Sequence, residues 1–310
     1  MRPPDTRGGW RTRAVARAVS ALIRRRDWGD EHALVRRARR LFGAPAAYGQ
    51  LMLRGLRREP LEAPGLRGEW LVPRDTRPGV VLYVHGGGFV SCSPAVYRPL
   101  TAALARRTRQ RVLALDYRLA PEARFPAALD DAAAAYRWLL DTGVPAGRIA
   151  VAGDSAGGGL ALSLALRVRD AGWPAPACVV LLSPWTDLTG GGASVRANDG
   201  RCDMFRPANM PDFAAVYLGG ASPRDPAASP AFAPLHGLPP LLLHVGAREL
   251  LLDDARRVHD GAIAAGGTSR LVEFEDAFHG WQLLSPWLRD ARASLDDVAA
   301  FIDAHLPRAS

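Results

Sequence analysis

The sequence predicts an α/β fold in which a mostly parallel central sheet is flanked by helices. Short apolar runs of strand length alternate with longer helical segments from residue 66 to residue 306. Parallel strands need crossover connections, which are usually helices, so this alternation predicts helices on both faces of the sheet. With 310 residues, of which 48% are apolar and 23% charged, the chain has the length and composition of one sizeable soluble domain.

The individual elements follow from apolar runs and from residues that begin and end helices. Strands are predicted at residues 66–72, 80–84, 112–115, 149–152, 179–182, 241–245 and 271–274. Helices are predicted at residues 94–107, 126–140 and 156–169, and within 284–306. Pro126 in the first turn and Gly143 past the end delimit the second of these helices. Residues 187–235, with three consecutive glycines and several prolines, indicate an excursion from the sheet.

The first 60 residues differ from the rest of the chain in charge. They hold 15 Arg and five acids, a net charge of +10, whereas the whole chain carries +9, so residues 61–310 sum to about −1. Two helical stretches are predicted within residues 10–60. A basic helix here could contact nucleic acid or anionic lipid. No nucleic-acid motif accompanies the charge, so a solvated cationic face is the favoured interpretation.

Targeting and cysteine patterns indicate a cytoplasmic protein. No run approaches 18 consecutive apolar residues, and the apolar patch at residues 15–23 is interrupted by Arg17, unlike a secretory leader. Cys92, Cys178 and Cys202 are too few and too scattered for a disulfide framework or a zinc site. They are expected to be free thiols.

The strongest functional motif is Gly153-Asp154-Ser155-Ala156-Gly157, which matches G-x-S-x-G. It directly follows a predicted strand and opens a predicted helix, the context in which a serine sits exposed on a tight turn. The flanking glycines allow that turn without a clash, and the helix N-terminus presents free N–H groups. Ser155 is therefore the candidate nucleophile, and the alternative of a chance glycine turn is disfavoured by the strand–helix context.

A second motif, His85-Gly86-Gly87-Gly88-Phe89, comes immediately after the strand at residues 80–84. Consecutive glycines expose backbone N–H groups, and such donors stabilise the negative charge that develops on a carbonyl oxygen during acyl transfer. A phosphate-binding loop would need a following Gly-Lys-Ser/Thr, which is absent from the sequence. His85 is expected to order the loop rather than to move protons.

A general base for Ser155 is expected downstream, and His279 is the best candidate. It follows the strand at residues 271–274 within Phe278-His279-Gly280-Trp281. His244 lies inside an apolar strand, where a core role is favoured. The remaining histidines lie on predicted helices or in loops without a helper residue: His32, His85, His236, His259 and His305.

The acid that orients the base should follow the strand at residues 241–245. A carboxylate there would hold the imidazole tautomer and stabilise the imidazolium. Glu249, Asp253 and Asp254 are the candidates, and the residues alone do not choose among them.

These motifs together resemble the hormone-sensitive-lipase-like family of α/β-hydrolase esterases, over about residues 66–306. Further blocks that carry the resemblance are Asp116-Tyr117-Arg118-Leu119-Ala120-Pro121-Glu122, Phe125-Pro126-Ala127-Ala128, the added Gly158, Ser183-Pro184-Trp185-Thr186-Asp187 and His279-Gly280. The resemblance implies an α/β-hydrolase fold with a helical cap. Residues 1–60 would be an N-terminal cap segment and 61–310 the catalytic domain, with a second cap excursion at about 187–235.

The resemblance also implies roles for individual residues. The oxyanion donors would be the N–H groups of Gly87, Gly88 and Ala156. In this family the acid usually belongs to an Asp-x-Leu-x-Asp block, and Glu249-Leu250-Leu251-Leu252-Asp253 occupies its place here. Glu249 is thus favoured as the acid, with Asp253 as the alternative. Asp253 otherwise caps the helix that begins near it.

The expected function is hydrolysis of small, short- to medium-chain carboxylic esters through an acyl-enzyme, with no metal and no organic cofactor. The predicted pocket walls are Phe89, Trp185, Phe213 and Trp281. An amide, acetyl or lactone substrate for the same triad is the alternative. A non-catalytic small-molecule-binding module, as in the gibberellin receptors that resemble this family, is disfavoured because Ser155 and His279 are both present. The expected partner is a small ester, with no nucleic acid and no integral membrane segment, and a homodimer is left open.

Overall fold

The computed structural model describes residues 4–43 and 46–307. Residues 1–3, 44–45 and 308–310, which the predicted cap and catalytic segments include, lie outside the described residues. The strands are β1 (Leu56–Pro60), β2 (Gly68–Pro73), β3 (Val80–Val84), β4 (Arg111–Leu115), β5 (Ile149–Asp154), β6 (Cys178–Leu182), β7 (Leu241–Gly246) and β8 (Ser269–Phe274).

The helices are α1 (Trp10–Val19), α2 (Glu31–Phe42), α3 (Ala46–Leu51), α4 (Pro94–Thr108), α5 (Ala127–Asp141), α6 (Ser155–Asp170), α7 (Ala193–Ala197), α8 (Met210–Leu218), α9 (Leu252–Ala264) and α10 (Arg289–His305). A π-helical turn at Ser20–Arg24 continues α1, and short 3-10 turns lie at Ala146–Arg148, Pro207–Asn209, Pro230–Phe232 and Trp281–Leu284. Within the described part of the chain, no helix is both long and apolar enough to cross a bilayer.

The strands form one eight-stranded sheet in the order β1-β2-β4-β3-β5-β6-β7-β8. β1 and β2 pair antiparallel with each other and β2 pairs antiparallel with β4, whereas every other pairing is parallel. This confirms the α/β prediction of a mostly parallel sheet. Because β3, β5, β7 and β8 run parallel, the residues that follow them meet at one edge of the sheet.

The core lies on both faces of the sheet, because the central strands β3, β5, β6 and β7 are buried at every position. β3 is buried throughout, with Leu82 and Val84 facing one side and Val81 and Tyr83 the other. One face is covered by helices α5, α6 and α9, and the opposite face by α4 and α10. The chain thereby buries a hydrophobic layer on each side of the sheet, as parallel sheets require.

The structure departs from the sequence prediction at β1. Its residues Leu56–Pro60 belong to the central sheet, although they fall within the segment predicted as a helical cap. Arg57, Arg58 and Glu59 give this strand no apolar run, because an edge strand with exposed residues does not need one. The N-terminal segment that is helical therefore ends before β1.

Cys92, Cys178 and Cys202 are free thiols, as predicted.

Candidate active site

Ser155 lies at the sharp turn between β5 and α6. Its φ of 54° places a non-glycine residue in the left-handed region, a strained conformation that is maintained only when the surroundings enforce it. The turn is tight because the helix starts directly under β3: a Cβ on Gly157 would lie 2.2 Å from the carbonyl oxygen of Val84. The glycine of the motif is thus required by close backbone approach, and Ser155 is 8% exposed at the sheet edge.

His279 and Glu249 complete a chain of hydrogen bonds that begins at Ser155. His279 Nδ1 lies 2.6 Å from Glu249 Oε2, and its Nε2 lies 2.8 Å from Ser155 Oγ. Because a carboxylate only accepts, the ring proton is assigned to Nδ1, which leaves Nε2 to accept from the Ser155 hydroxyl. His279 is 5% exposed and Glu249 is 1% exposed, so the chain opens to its surroundings only near the serine.

Glu249 is itself held by two donors on its other oxygen. Ser183 Oγ donates to Oε1 over 2.6 Å, and the Gly246 N–H donates to the same oxygen over 2.7 Å. The Asn198 side chain also donates to the backbone carbonyl of Glu249 over 2.8 Å. Sequence reasoning assigned Ser183 no role in the site, although its Ser-Pro-Trp block directly follows a buried strand.

The other two candidate acids point away from His279. Asp253 accepts the Ser194 N–H over 2.7 Å at the start of α7. It lies in the first turn of α9, and the residue that precedes that helix is Leu251. The prediction that Asp253 caps α9 is therefore wrong. Asp254 accepts the backbone N–H groups of Thr186 and Asp187, and burial raises its pKa to about 7. Of the three carboxylates, Glu249 is the one that the structure brings to His279.

Asp154 anchors the glycine loop. Its Oδ1 accepts the Gly86 N–H over 3.0 Å and the Tyr83 hydroxyl over 2.8 Å, while Oδ2 accepts the Tyr97 hydroxyl over 2.7 Å. Burial raises the pKa of Asp154, and these donors partly offset that effect. The motif position next to the serine therefore ties the loop after β3 to the serine turn, and Tyr83 and Tyr97 were not predicted from the sequence.

The side chain of His85 orders the same loop by bonding to the backbone of the next residue. Its Nδ1 donates to the Gly86 carbonyl over 2.7 Å, and its ring stacks on Tyr117 with centroids 4.4 Å apart. Burial lowers the pKa of His85 to about 4, so the ring is neutral near neutral pH. Gly87 and Gly88, with φ values of 112° and 63°, then line the cavity beside Ser155.

A cavity of about 500 Å³ opens beside Ser155 and His279, and most of its lining is apolar. Trp185 and Phe213, both predicted pocket walls, line it. Phe89 and Trp281 do not. The Phe89 ring stacks on Tyr217 at 3.7 Å, and Trp281 is 0% exposed against Phe274, so both are packed into the core behind the cavity. In the described residues no group of three or more His, Cys, Asp or Glu side chains could hold a metal ion.

Comparison with known proteins places this arrangement in a family. The profile of the alpha/beta hydrolase fold family matches residues 81–283. The chain is 44% identical to an acetyl-hydrolase of Streptomyces hygroscopicus over 76% of this chain and 78% of that protein. It is 34% identical to an esterase of Acinetobacter venetianus, over 78% of this chain and 80% of that protein.

Solved structures agree. A crystal structure of an esterase from the bacterial hormone-sensitive lipase family superimposes with a TM-score of 0.86 at 37% identity, over 96% of this chain and 97% of that one. The structure of EstE5 soaked with p-nitrophenyl butyrate gives a TM-score of 0.84 at 34% identity, over 96% and 99% of the two chains. The protein described here therefore belongs to the hormone-sensitive-lipase-like family of α/β-hydrolases and is a carboxylic ester hydrolase.

Proposed function

We propose that this enzyme hydrolyses small carboxylic esters through an acyl-enzyme formed on Ser155, with His279 as general base and Glu249 as the acid that orients it. The observation that carries the proposal is the hydrogen-bonded chain from Ser155 Oγ through His279 to Glu249 at the wall of an apolar cavity. Each contact matches the geometry expected of a nucleophile, a base and an orienting group. A non-catalytic binding module is disfavoured, because the three residues are hydrogen-bonded to one another and the chain belongs to a family of esterases.

In the proposed mechanism, His279 Nε2 takes the Ser155 proton as the oxygen attacks the ester carbonyl. Negative charge moves to the carbonyl oxygen, for which the N–H groups of Gly87, Gly88 and Ala156 are the proposed donors. The imidazolium then protonates the leaving alkoxide, and the acyl group remains on Ser155. Water activated by neutral His279 releases the acid and regenerates the enzyme. Glu249 keeps the ring proton on Nδ1 and stabilises the imidazolium.

The cavity supports short- to medium-chain acyl groups as substrates. Its volume is within the usual range for small-molecule pockets, and an apolar wall discriminates one methylene by only about 1–3 kcal/mol. A panel of p-nitrophenyl esters from acetate upward should show activity that changes gradually with acyl length. A fluorophosphonate probe should label Ser155 in the wild type and nothing in Ser155→Ala. Labelling at a different residue would contradict the assignment.

An acetyl or amide hydrolase with the same triad is the second candidate, because the Streptomyces hygroscopicus relative carries the name acetyl-hydrolase. Side-by-side rates on p-nitrophenyl acetate and an acetanilide separate the two. The ester should be cleaved faster, and clear preference for the anilide would reverse the order of the candidates.

The N-terminal helices and the segment between β6 and β7 are proposed to form the cap. Ile23 and Phe42 from the first and Met210 and Phe213 from the second all line the cavity, which supports that role. A cytoplasmic location and a homodimer remain predictions, to be measured by cell fractionation and by light scattering of the purified chain.

A further inference from the structure

Helix α1 and the π-helical turn that follows it have two different faces. The inner face packs on the protein: Ala16 is 6% exposed, and Val15 and Val19 pack against a buried cluster that includes Phe278, the residue before His279. Thr12 adds a buried hydrogen bond from its hydroxyl to Asp290 over 2.8 Å. The helix is thus fixed to the body of the enzyme immediately beside the proposed base.

The outer face exposes large apolar side chains to solvent, with the Arg11 guanidinium over the Trp10 ring. Trp10 is 70% exposed and Leu22 is 63% exposed, and the residues between them on this face are small: Ala14, Ala18 and Ala21. These positions recur at the helical spacing of three to four residues, so they form one stripe. Large apolar side chains at such exposure on one helix mark an interaction surface more often than single exposed residues do.

The charged residues of this segment itself all have one sign. Residues 10–26 contain six arginines and no acid. Arg13 and Arg24 lie toward the body of the protein, where they pair with Asp276 and Asp199. Arg17 and Arg25 are exposed and form no ion pair with any described residue. The outer face therefore presents unneutralised cations flanking an apolar stripe.

The stripe lies next to the cavity. Val19 and Ile23, on either side of Leu22 along the same segment, line the cavity that contains Ser155. Trp287, also on the lining, is 49% exposed. A surface that contacts the outer face of α1 is thus close to the apolar interior that receives substrate.

We propose that the outer face of residues 10–25 docks on an anionic lipid surface. An arginine-flanked helix with tryptophan and leucine toward the membrane is the composition of a helix that lies in the interface plane. The arginines would meet lipid phosphates, while Trp10 and Leu22 would enter the boundary between headgroups and acyl chains. Nucleic acid would satisfy the arginines but gives no apolar phase for Leu22, so lipid fits both halves of the surface.

The test is cosedimentation with vesicles, using the Ser155→Ala chain so that lipid hydrolysis plays no part and the outcome is independent of the proposed activity. The chain should bind vesicles of equal phosphatidylglycerol and phosphatidylcholine and not vesicles of phosphatidylcholine alone. Binding should fall as ionic strength rises from about 0.01 M to about 1 M, since the Debye length shrinks from roughly 30 Å to roughly 3 Å.

Two matched pairs of variants test the surface itself. Arg17→Ala/Arg25→Ala should weaken vesicle binding about 25-fold, from roughly fivefold per arginine near an anionic surface. Arg74→Ala/Arg148→Ala removes the same charge at the opposite edge of the sheet, before β3 and β5, and should leave binding unchanged. Trp10→Ala should weaken binding about tenfold, whereas Ile263→Ala, which removes another half-exposed apolar side chain on α9, should not.

The proposal is overturned if the chain ignores anionic vesicles, binds neutral ones equally well, or loses as much binding in the control pair as in Arg17→Ala/Arg25→Ala. Retention on duplex DNA under conditions where no vesicle binds would assign the surface to nucleic acid instead.

Discussion

Two histidines in this chain each lie between a serine hydroxyl and a carboxylate, and only one of them belongs to the candidate active site. His279 contacts Ser155 over 2.8 Å and Glu249 over 2.6 Å. His244, in the middle of β7, contacts Ser294 Oγ and Asp297 Oδ2, each over 2.9 Å. The two triplets differ by a few tenths of an ångström in their contacts, so distance alone does not distinguish them.

The surroundings do. Ser155 lies on a left-handed turn beside glycine N–H groups and a cavity, whereas Ser294 lies within α10 and is 0% exposed, as is His244. A substrate carbonyl can reach the first serine and has no path to the second. Burial lowers the pKa of His244, and Asp297 is further paired with Arg270 over 2.8 Å. The comparison shows that a serine–histidine–acid triplet becomes a site only where access and oxyanion donors accompany it.

Substituting the serine of each triplet should give the largest difference in activity. Ser155→Ala should lower kcat/KM by roughly 10⁶-fold and leave the fold intact, since removing the nucleophile abolishes the acyl-enzyme. Ser294→Ala should leave kcat/KM unchanged and lower the free energy of unfolding by about 1 kcal/mol, because one buried hydrogen bond is lost. Steady-state hydrolysis of p-nitrophenyl acetate and urea unfolding measure the two effects. A large activity loss in Ser294→Ala would break the comparison.

Substituting the two candidate acids, Glu249 and Asp253, should give the next largest difference in activity. Glu249→Gln should lower kcat by roughly 10⁴-fold, because a neutral amide neither fixes the Nδ1 proton nor stabilises the imidazolium. Asp253→Asn serves as the matched control and should stay near the wild-type rate, since its carboxylate binds Ser194 instead of His279. Steady-state rates of the two variants on one ester decide the matter. An inactive Asp253→Asn beside an active Glu249→Gln would move the acid to Asp253.

The sequence predicted those parts of the site that local pattern determines. Ser155 and His279 were recognised because each follows a strand within a distinctive motif, and His244 was assigned to the core because it interrupts an apolar strand. The structure confirms the core position of His244 and brings Ser155 and His279 together. The β-strands were likewise found wherever they are apolar, and only the polar edge strand β1 was missed.

The remaining details depend on contacts between distant segments. Glu249 lies on the loop after β7 and Asp253 four residues later in the first turn of α9, so only the path of the chain between them decides which carboxylate reaches His279. Ser183 and Tyr97 act on Glu249 and Asp154 across 66 and 57 residues of sequence. Whether an aromatic ring lines the cavity or packs behind it, as Phe89 does, is a difference of a few ångströms that no periodicity encodes.

Breaking the buried triplet at its acid should affect stability alone. Asp297→Asn should lower the free energy of unfolding by about 3 kcal/mol, because Arg270 and His244 lose a buried carboxylate partner. The neighbouring Asp296→Asn is the control: that side chain is 67% exposed in its ion pair with Arg107, and its loss should cost less than about 1 kcal/mol. Urea midpoints give both values, and kcat of the folded variants should match the wild type. Equal stability of the two variants would contradict a structural role for the triplet.

The pH dependence of stability gives the smallest effect and reports the charge state of His244. Burial lowers its pKa, so near and below about pH 6.5 the unfolded chain is protonated at this histidine to a greater extent than the folded ring. The unfolded state then binds more protons, and the contribution of His244 to the free energy of unfolding falls as pH falls. The destabilisation caused by His244→Asn, measured by urea unfolding, should therefore shrink between pH 6.5 and pH 5.5. Growth of that difference at the lower pH would mean that His244 is protonated against Asp297, an ion pair in place of a neutral ring.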